Sequence, residues 1–145
     1  LSLFVFLIFN WSPAKLFMGD SGSTFIGAIL FMFAINSENL FQFFSRLLLL
    51  SPLLLDAFVC VILRAINGFN IFKAHRMHLA QRLFLAGWTS SQVCYLYLVN
   101  TMIMCVLYLI SNLFYMCLFL ILMLIIGVIL DKKFAKPFPN KYIYT

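Results

Sequence analysis

The stretch 92–130, QVCYLYLVNTMIMCVLYLISNLFYMCLFLILMLIIGVIL, contains no Asp, Glu, Lys or Arg and is broken only by the pair Ser111-Asn112. On either side, Gln92 to Ile110 and Leu113 to Leu130 each approach the roughly 20 apolar residues that a helix needs to cross a hydrocarbon core about 30 Å thick. Backbone exposed to lipid must satisfy its own hydrogen bonds, which only helices and closed barrels do. No stretch shows the alternation of apolar and polar residues that a barrel strand requires. The two runs therefore read as a helical hairpin, and the fold class as all-α, a polytopic transmembrane helical bundle.

Upstream of the hairpin, Leu40 to Ile66 reads as a longer span with room to tilt, carrying Arg46, Pro52 and Asp56 within it. Thr24 to about Ile35 forms a brief span, short enough to draw on the preceding loop, and ends at the turn Asn36-Ser37-Glu38-Asn39. Leu1 to Phe9 covers only about half of the core at 1.5 Å per residue, so it reads as the end of a span that begins upstream. The expectation is about four full spans plus the end of a truncated one. The chain opens in mid-run without Met, a charged n-region or a small-residue cleavage site. Residues 1–145 are expected to form a single transmembrane domain, the C-terminal part of a larger protein.

Composition agrees with this. Of 145 residues, 65% are hydrophobic and 10% charged, with mean hydropathy +1.07, more apolar surface than a soluble domain could hide. The net charge of +6 lies in the connections between spans, so the lipid bilayer explains it and no nucleic-acid partner is expected. Lys15 marks the loop 10–23, Arg64, Lys73, Arg76 and Arg82 mark the stretch 67–91 and its approach, and Lys132, Lys133, Lys136 and Lys141 mark the tail. The alternate turns 36–39 and 111–112 hold no Lys or Arg. Because basic connections are retained in the cytoplasm, both polar loops and the tail are expected to face it. Cys60, Cys94, Cys105 and Cys117 lie in or beside apolar runs, with no C-x-x-C and no His at zinc-ligand spacing, and read as small packing residues.

Two loops carry the candidate chemistry. The first, Asn10 to Ser23, ends in Gly19-Asp20-Ser21-Gly22-Ser23 directly before an apolar helix. Gly19 and Gly22 let backbone approach a ligand, and the N–H groups of the following helix start favour anions. Asp20 between them suits a hard cation such as Mg²⁺, which binds through one or two carboxylates and phosphate oxygens. The alternative is an Asp/Ser helix cap with the glycines serving a turn. In the second loop, His75, His78 and Arg82 fall at i, i+3 and i+7, and Leu79, Leu83 and Ala86 form an apolar stripe nearby, the pattern of an amphipathic interfacial helix. No third ligand sits at a spacing that would join the two His in a metal site, so phosphate contact with Arg76 and Arg82 is one reading. A basic helix resting on anionic lipid is the other. Trp11 and Trp88 fit an interfacial belt in either case.

Asp56 is an ionisable residue deep in a span and therefore needs a partner. Arg64, eight residues on and roughly 12 Å along the helix, is too far to pair directly. Arg46 reads as snorkelling towards the outer surface. If Asp56 and Arg46 lined a pathway, the chain would be a transporter or channel subunit, but its dense polar chemistry lies in loops rather than at the midplane.

Taken together, P-A-K-L-F-M-G-D-S-G-S-T-F at Pro13 to Phe25 and A-H-R-M-H-L-A-Q-R-L with A-G-W at Ala74 to Trp88 resemble glycosyltransferase family 4, the polyprenyl-phosphate N-acetylhexosaminyl-1-phosphate transferases. The segment Pro52 to Arg64 resembles the one that links the two motifs in that family, and the resemblance covers roughly Leu1 to Thr101. It implies a transferase in which undecaprenyl phosphate attacks the β-phosphate of a UDP-N-acetylhexosamine, releasing UMP. By the same resemblance, Asp20 is a Mg²⁺ ligand (Mn²⁺ being the substitute metal) and a catalytic carboxylate, and His78 a catalytic group. Gly19, Gly22, Ser23, His75, Arg76 and Arg82 would then be the substrate- and phosphate-binding set. H-R-x-H-x-x-Q-R is sparser in His than the peptidoglycan-precursor branch and resembles the O-antigen-initiating transferases that use GlcNAc or FucNAc. The family's upstream aspartate pair and N-x-x-N-x-x-D loop have no counterpart, so this chain by itself is expected not to turn over, and a non-enzymatic remnant is the alternative. Homo-oligomerisation is left open.

Overall fold

The computed structural model describes residues 2–11, 14–73, 75–110 and 112–138. Pro13, Ala74 and Lys141, which belong to the motifs and tail above, lie outside the described residues. The helices are α1 (Ser2–Asn10), α2 (Gly19–Ile35), α3 (Leu40–Leu49), α4 (Ser51–Ile66), α5 (Leu79–Leu85), α6 (Ser90–Leu109) and α7 (Leu113–Lys133), with no strand among the described residues. They fall into two compact units, Leu1–Phe44 and Ser45–Thr145.

In the first unit the end of α1 is folded against the following loop. Lys15 and Leu16 donate backbone N–H groups to the carbonyl of Phe9, and Asn10 Nδ2 donates to the Leu16 carbonyl at 2.8 Å. The brief second span does extend back into the loop, since α2 begins at Gly19 and runs for 17 residues, about 25 Å at 1.5 Å per residue. It closes at the Asn36 to Asn39 turn, where Asn39 Oδ1 accepts from Gln42 N and caps the start of α3.

The second unit holds the hairpin. Thr89 and Gln92 form a reciprocal capping box at the start of α6, each side chain accepting the other's backbone N–H, and Asn112 Oδ1 caps α7 through Tyr115 N. These caps set the helix starts that hydropathy alone leaves open. Both helices are long and apolar enough to cross a membrane. Met104 and Met116 are their only fully buried side chains among the described residues, while Leu109, Phe114 and Ile121 are exposed. Apolar side chains facing outward all round a helix are what a lipid solvent accepts. Asn100 and Thr101 turn their polar groups onto the carbonyls of Leu96 and Tyr97 one turn back.

The third expected span is not a single straight rod. α3 and α4 meet at Leu50 with a bend of 76°, and Pro52 sits in the first turn of α4. Proline has no N–H to donate and disfavours helical backbone in the residue before it, so a helix is interrupted there. The described residues thus hold two full-length spans, or three if the bent pair is one. α4 packs on α5, α6 and α7, and α5 on α6 and α7, with Arg82 of α5 paired to Asp131 near the end of α7.

Candidate functional site

In the first unit, Gly19-Asp20-Ser21-Gly22-Ser23 is not a loop but the first turn of α2. Gly19 has φ +67°, a conformation that residues with a Cβ rarely adopt. The N-cap position is occupied by Met18, and no side-chain hydrogen bond caps this end. Asp20 is an exposed carboxylate in the first turn, where the helix dipole favours negative charge. Its backbone carbonyl accepts from Ser23 Oγ at 3.0 Å and Thr24 Oγ1 at 2.7 Å. Gly22 opens no vacant face, because a Cβ there would run into the Met18 side chain.

In the second unit the half-buried carboxylate of Asp56 finds the partners that its sequence neighbourhood lacks. Its Oδ1 accepts from Leu79 N at 2.7 Å and its Oδ2 from Ala80 N at 3.3 Å. Tyr97 Oη donates to Oδ2 at 2.7 Å, and His78 Nδ1 lies 3.9 Å from Oδ1. Asp56 therefore ties α4, α5 and α6 together by capping the first amides of α5. This explains why α5 starts at Leu79, whereas periodicity suggests a helix that includes His75 and His78. His78 stands at the N-cap in extended backbone, and Gln81 Oε1 accepts its N–H at 3.3 Å. At the other end Gly87, with φ +105°, closes α5 in a Schellman turn, Trp88 N donating to Leu83 O and Gly87 N to Phe84 O.

The short helix is inserted into the bundle rather than laid on its surface: Leu83 is 0% and Arg82 5% exposed. Arg82 donates Nε to the Met77 carbonyl at 3.2 Å and Nη1 to the Lys136 carbonyl at 2.9 Å, and its Nη2 pairs with Asp131. Its guanidinium also sits 5.2 Å above the Phe138 ring. Arg64 is buried and donates Nη2 to the Asn70 carbonyl. A cavity of ≈ 330 Å³ opens between α4, α6 and α7, mostly apolar, with Asp56, Cys60, Met77, Arg82, Tyr97 and Asp131 in its lining. The rings of His75 and His78 stack, with centroids 5.0 Å apart and planes at 28°. Cys60 Sγ on α4 and one nitrogen of each imidazole all lie within 4.8 Å of one another.

The sequence model that matches the chain is that of glycosyl transferase family 4, over residues 1–38. The chain is 32% identical over 100 residues to a phospho-N-acetylmuramoyl-pentapeptide-transferase from Carboxydothermus hydrogenoformans, covering 68% of the chain and 30% of that protein. It is also 32% identical over 100 residues to a probable undecaprenyl-phosphate N-acetylglucosaminyl 1-phosphate transferase from Bacillus subtilis, covering 66% of the chain and 28% of that protein. The chain is thus similar to glycosyl transferase family 4. It spans about 30% of the length of the curated relatives it matches. No solved structure matches the chain.

Of the residues that the family resemblance singles out, Gly19, Asp20, Gly22 and Ser23 share the first turn of α2. His75 and His78 are brought together although no helix joins them. Arg76 is exposed. Arg82 does not share a face with the two His, because it points into the bundle towards Asp131. Sequence reasoning passed over Tyr97, Cys60 and Asp131, the last placed in the tail although α7 continues through it. The chain has only 4 acidic residues, and in apolar surroundings each must meet a cation or donor. That scarcity is the signal that could have matched Asp131 with a neighbouring Arg.

Proposed function

We propose that the protein containing this chain transfers N-acetylhexosamine-1-phosphate, of the GlcNAc or FucNAc type, from a UDP-sugar to undecaprenyl phosphate in the bacterial inner membrane, initiating O-antigen or surface-polysaccharide synthesis. A phosphate oxygen of the lipid attacks the sugar-bearing phosphorus of the donor, UMP leaves with the bridging oxygen, and a lipid-linked sugar pyrophosphate remains. The observation that carries this reading is Asp20 in the uncapped first turn of α2, within the segment that matches the family.

A single exposed carboxylate with serine hydroxyls beside it fits Mg²⁺, which keeps several waters and takes few protein ligands. Asp20 would hold the ion, Mg²⁺ or Mn²⁺, whose charge when bound would favour the crowded phosphate oxygens. Gly19 presents a free first-turn N–H to an anion and Ser23 lies one turn on, whereas Gly22 is packed against the Met18 side chain. His78 and His75 contact phosphate or uridine, and Arg76 adds positive charge from the exposed side. Arg82 supports them as a positioning residue, since its Nε holds the Met77 carbonyl between the two imidazoles' attachments. The basic connections support a cytoplasmic orientation for both polar loops.

A second reading, transfer of phospho-N-acetylmuramoyl-pentapeptide, is favoured by the name of the Carboxydothermus relative. The sparse His loop supports the first. The full-length protein, purified in detergent, is supplied with undecaprenyl phosphate and labelled UDP-GlcNAc, labelled UDP-FucNAc or labelled UDP-N-acetylmuramoyl-pentapeptide. Label in the lipid phase from one of the first two donors alone is expected, from the pentapeptide donor alone selects the second reading, and from none removes the transferase assignment.

A further inference from the structure

We propose that Cys60, His75 and His78 form a binding site for a thiophilic divalent transition-metal ion, Zn²⁺ foremost. The three donor atoms come from α4 and from the segment before α5, 15 and 18 residues apart in sequence, and lie within 4.8 Å of one another. In a tetrahedral site, bonds of about 2.0–2.3 Å put neighbouring donors roughly 3.3–3.8 Å apart, so small side-chain rotations would close the set on an ion. Cys60 is only 2% exposed, while His78 has 32% of its side chain exposed, so an ion has access from the His side and a sulfur anchor inside. The N–H of Met77 reaches His75 Nδ1 at 3.4 Å, a bond long enough to yield to a metal.

A second observation supports the cluster. The Asp56 carboxylate, fixed by two amides and the Tyr97 hydroxyl, stands 3.9 Å from His78 Nδ1. A small turn of the ring would close this gap to a hydrogen bond, and a carboxylate so placed orients an imidazole and strengthens its other nitrogen as a ligand. One sulfur and two nitrogens form a soft to borderline set that suits Zn²⁺ or Co²⁺ and disfavours Mg²⁺, which takes oxygen ligands. The site is thus distinct in chemistry from Asp20. Binding would convert the Cys60 thiol to thiolate with release of its proton to solvent, and the fourth position stays open to water. Metal and phosphate would compete for the same imidazole nitrogens. The inference does not rest on the transferase reading.

The test uses Co²⁺ as a spectroscopic probe on the full-length protein in detergent, without turnover. Wild type should show a thiolate-to-Co²⁺ charge-transfer band and visible d–d bands of a four-coordinate ion, saturating at one equivalent and displaced by Zn²⁺ but not by Mg²⁺. Replacing Cys94, Cys105 and Cys117 together by Ser should leave the spectrum unchanged. Cys60→Ser should abolish the charge-transfer band, and His75→Ala/His78→Ala, which lies outside every helix, should weaken Co²⁺ binding at least tenfold with helicity unchanged. If Cys60→Ser fails to fold, the double His variant decides. Absence of the band in wild type, its survival in folded Cys60→Ser, or unweakened binding in the double His variant would overturn the site.

Discussion

Asp56 shows how one residue can be conspicuous in a sequence while its role stays hidden. Its carboxylate takes the first two amides of α5 and the hydroxyl of Tyr97, contacts that come from 23 to 41 positions away. Tyr97→Phe removes one of these bonds and should lower stability in detergent by about 1 kcal/mol. Asp56→Ala removes all of them and should cost several times as much, read by thermal unfolding monitored by circular dichroism. Equal effects would mean that Asp56 is not the cap of α5. His78→Ala should lower transferase activity of the full-length protein more than Met77→Ala does at equal membrane expression, because only the imidazole can donate to phosphate. Loss of the same size in both would remove the role given to His78. The Gly19-Asp20 motif stands out as a candidate by its residue order, whereas Cys60 does not, because its approach to His75 and His78 depends on how α4 meets the loop.

At the scale of elements, α5 is the informative case. Its apolar and basic periodicity suggests a longer helix on the membrane surface. Instead the Asp56 cap begins it at Leu79, and Gly87 ends it after Leu85. Periodicity reports which faces are apolar but not where a helix starts, since a cap supplied by a distant carboxylate leaves no local mark. Gly87→Ala should cost about 1–2 kcal/mol, because a Cβ is strained at φ +105°. The Arg82 and Asp131 pair fastens α5 to the end of α7. Asp131→Ala strands a buried guanidinium and should destabilise by about 3 kcal/mol, while Arg82→Met combined with Asp131→Leu should recover much of that loss. A double variant no more stable than Asp131→Ala would show that the other Arg82 contacts carry the attachment. The break at Leu50 was missed, since the apolar run Leu40 to Ile66 suggests a single tilted span, although Pro52 in the first turn of α4 is its local mark.

For the whole molecule, the all-helical membrane fold was plain in the charge-free stretch 92–130, since no other backbone arrangement survives in lipid with that pattern. What remained hidden was the polar interior of the second unit, assembled from residues on four different segments. The alternation of basic connections predicts that the second polar loop faces the cytoplasm and the turn at Ser37 does not. With native cysteines replaced, Ser37→Cys should be labelled from outside in spheroplasts and Ser90→Cys protected; the reverse pattern would invert the orientation. Asp20 is proposed to act through its charge on a phosphate-bound cation. A helix cap needs only an acceptor oxygen, which Asn supplies, whereas a metal ligand beside phosphates needs the carboxylate. The direct measurement is transfer of labelled N-acetylhexosamine-1-phosphate to undecaprenyl phosphate by the full-length protein and its Asp20→Asn variant across a Mg²⁺ titration. The variant should be folded and monodisperse while its transfer falls by a factor on the order of 10²–10³; near-normal transfer at ordinary Mg²⁺ would contradict the metal role of Asp20.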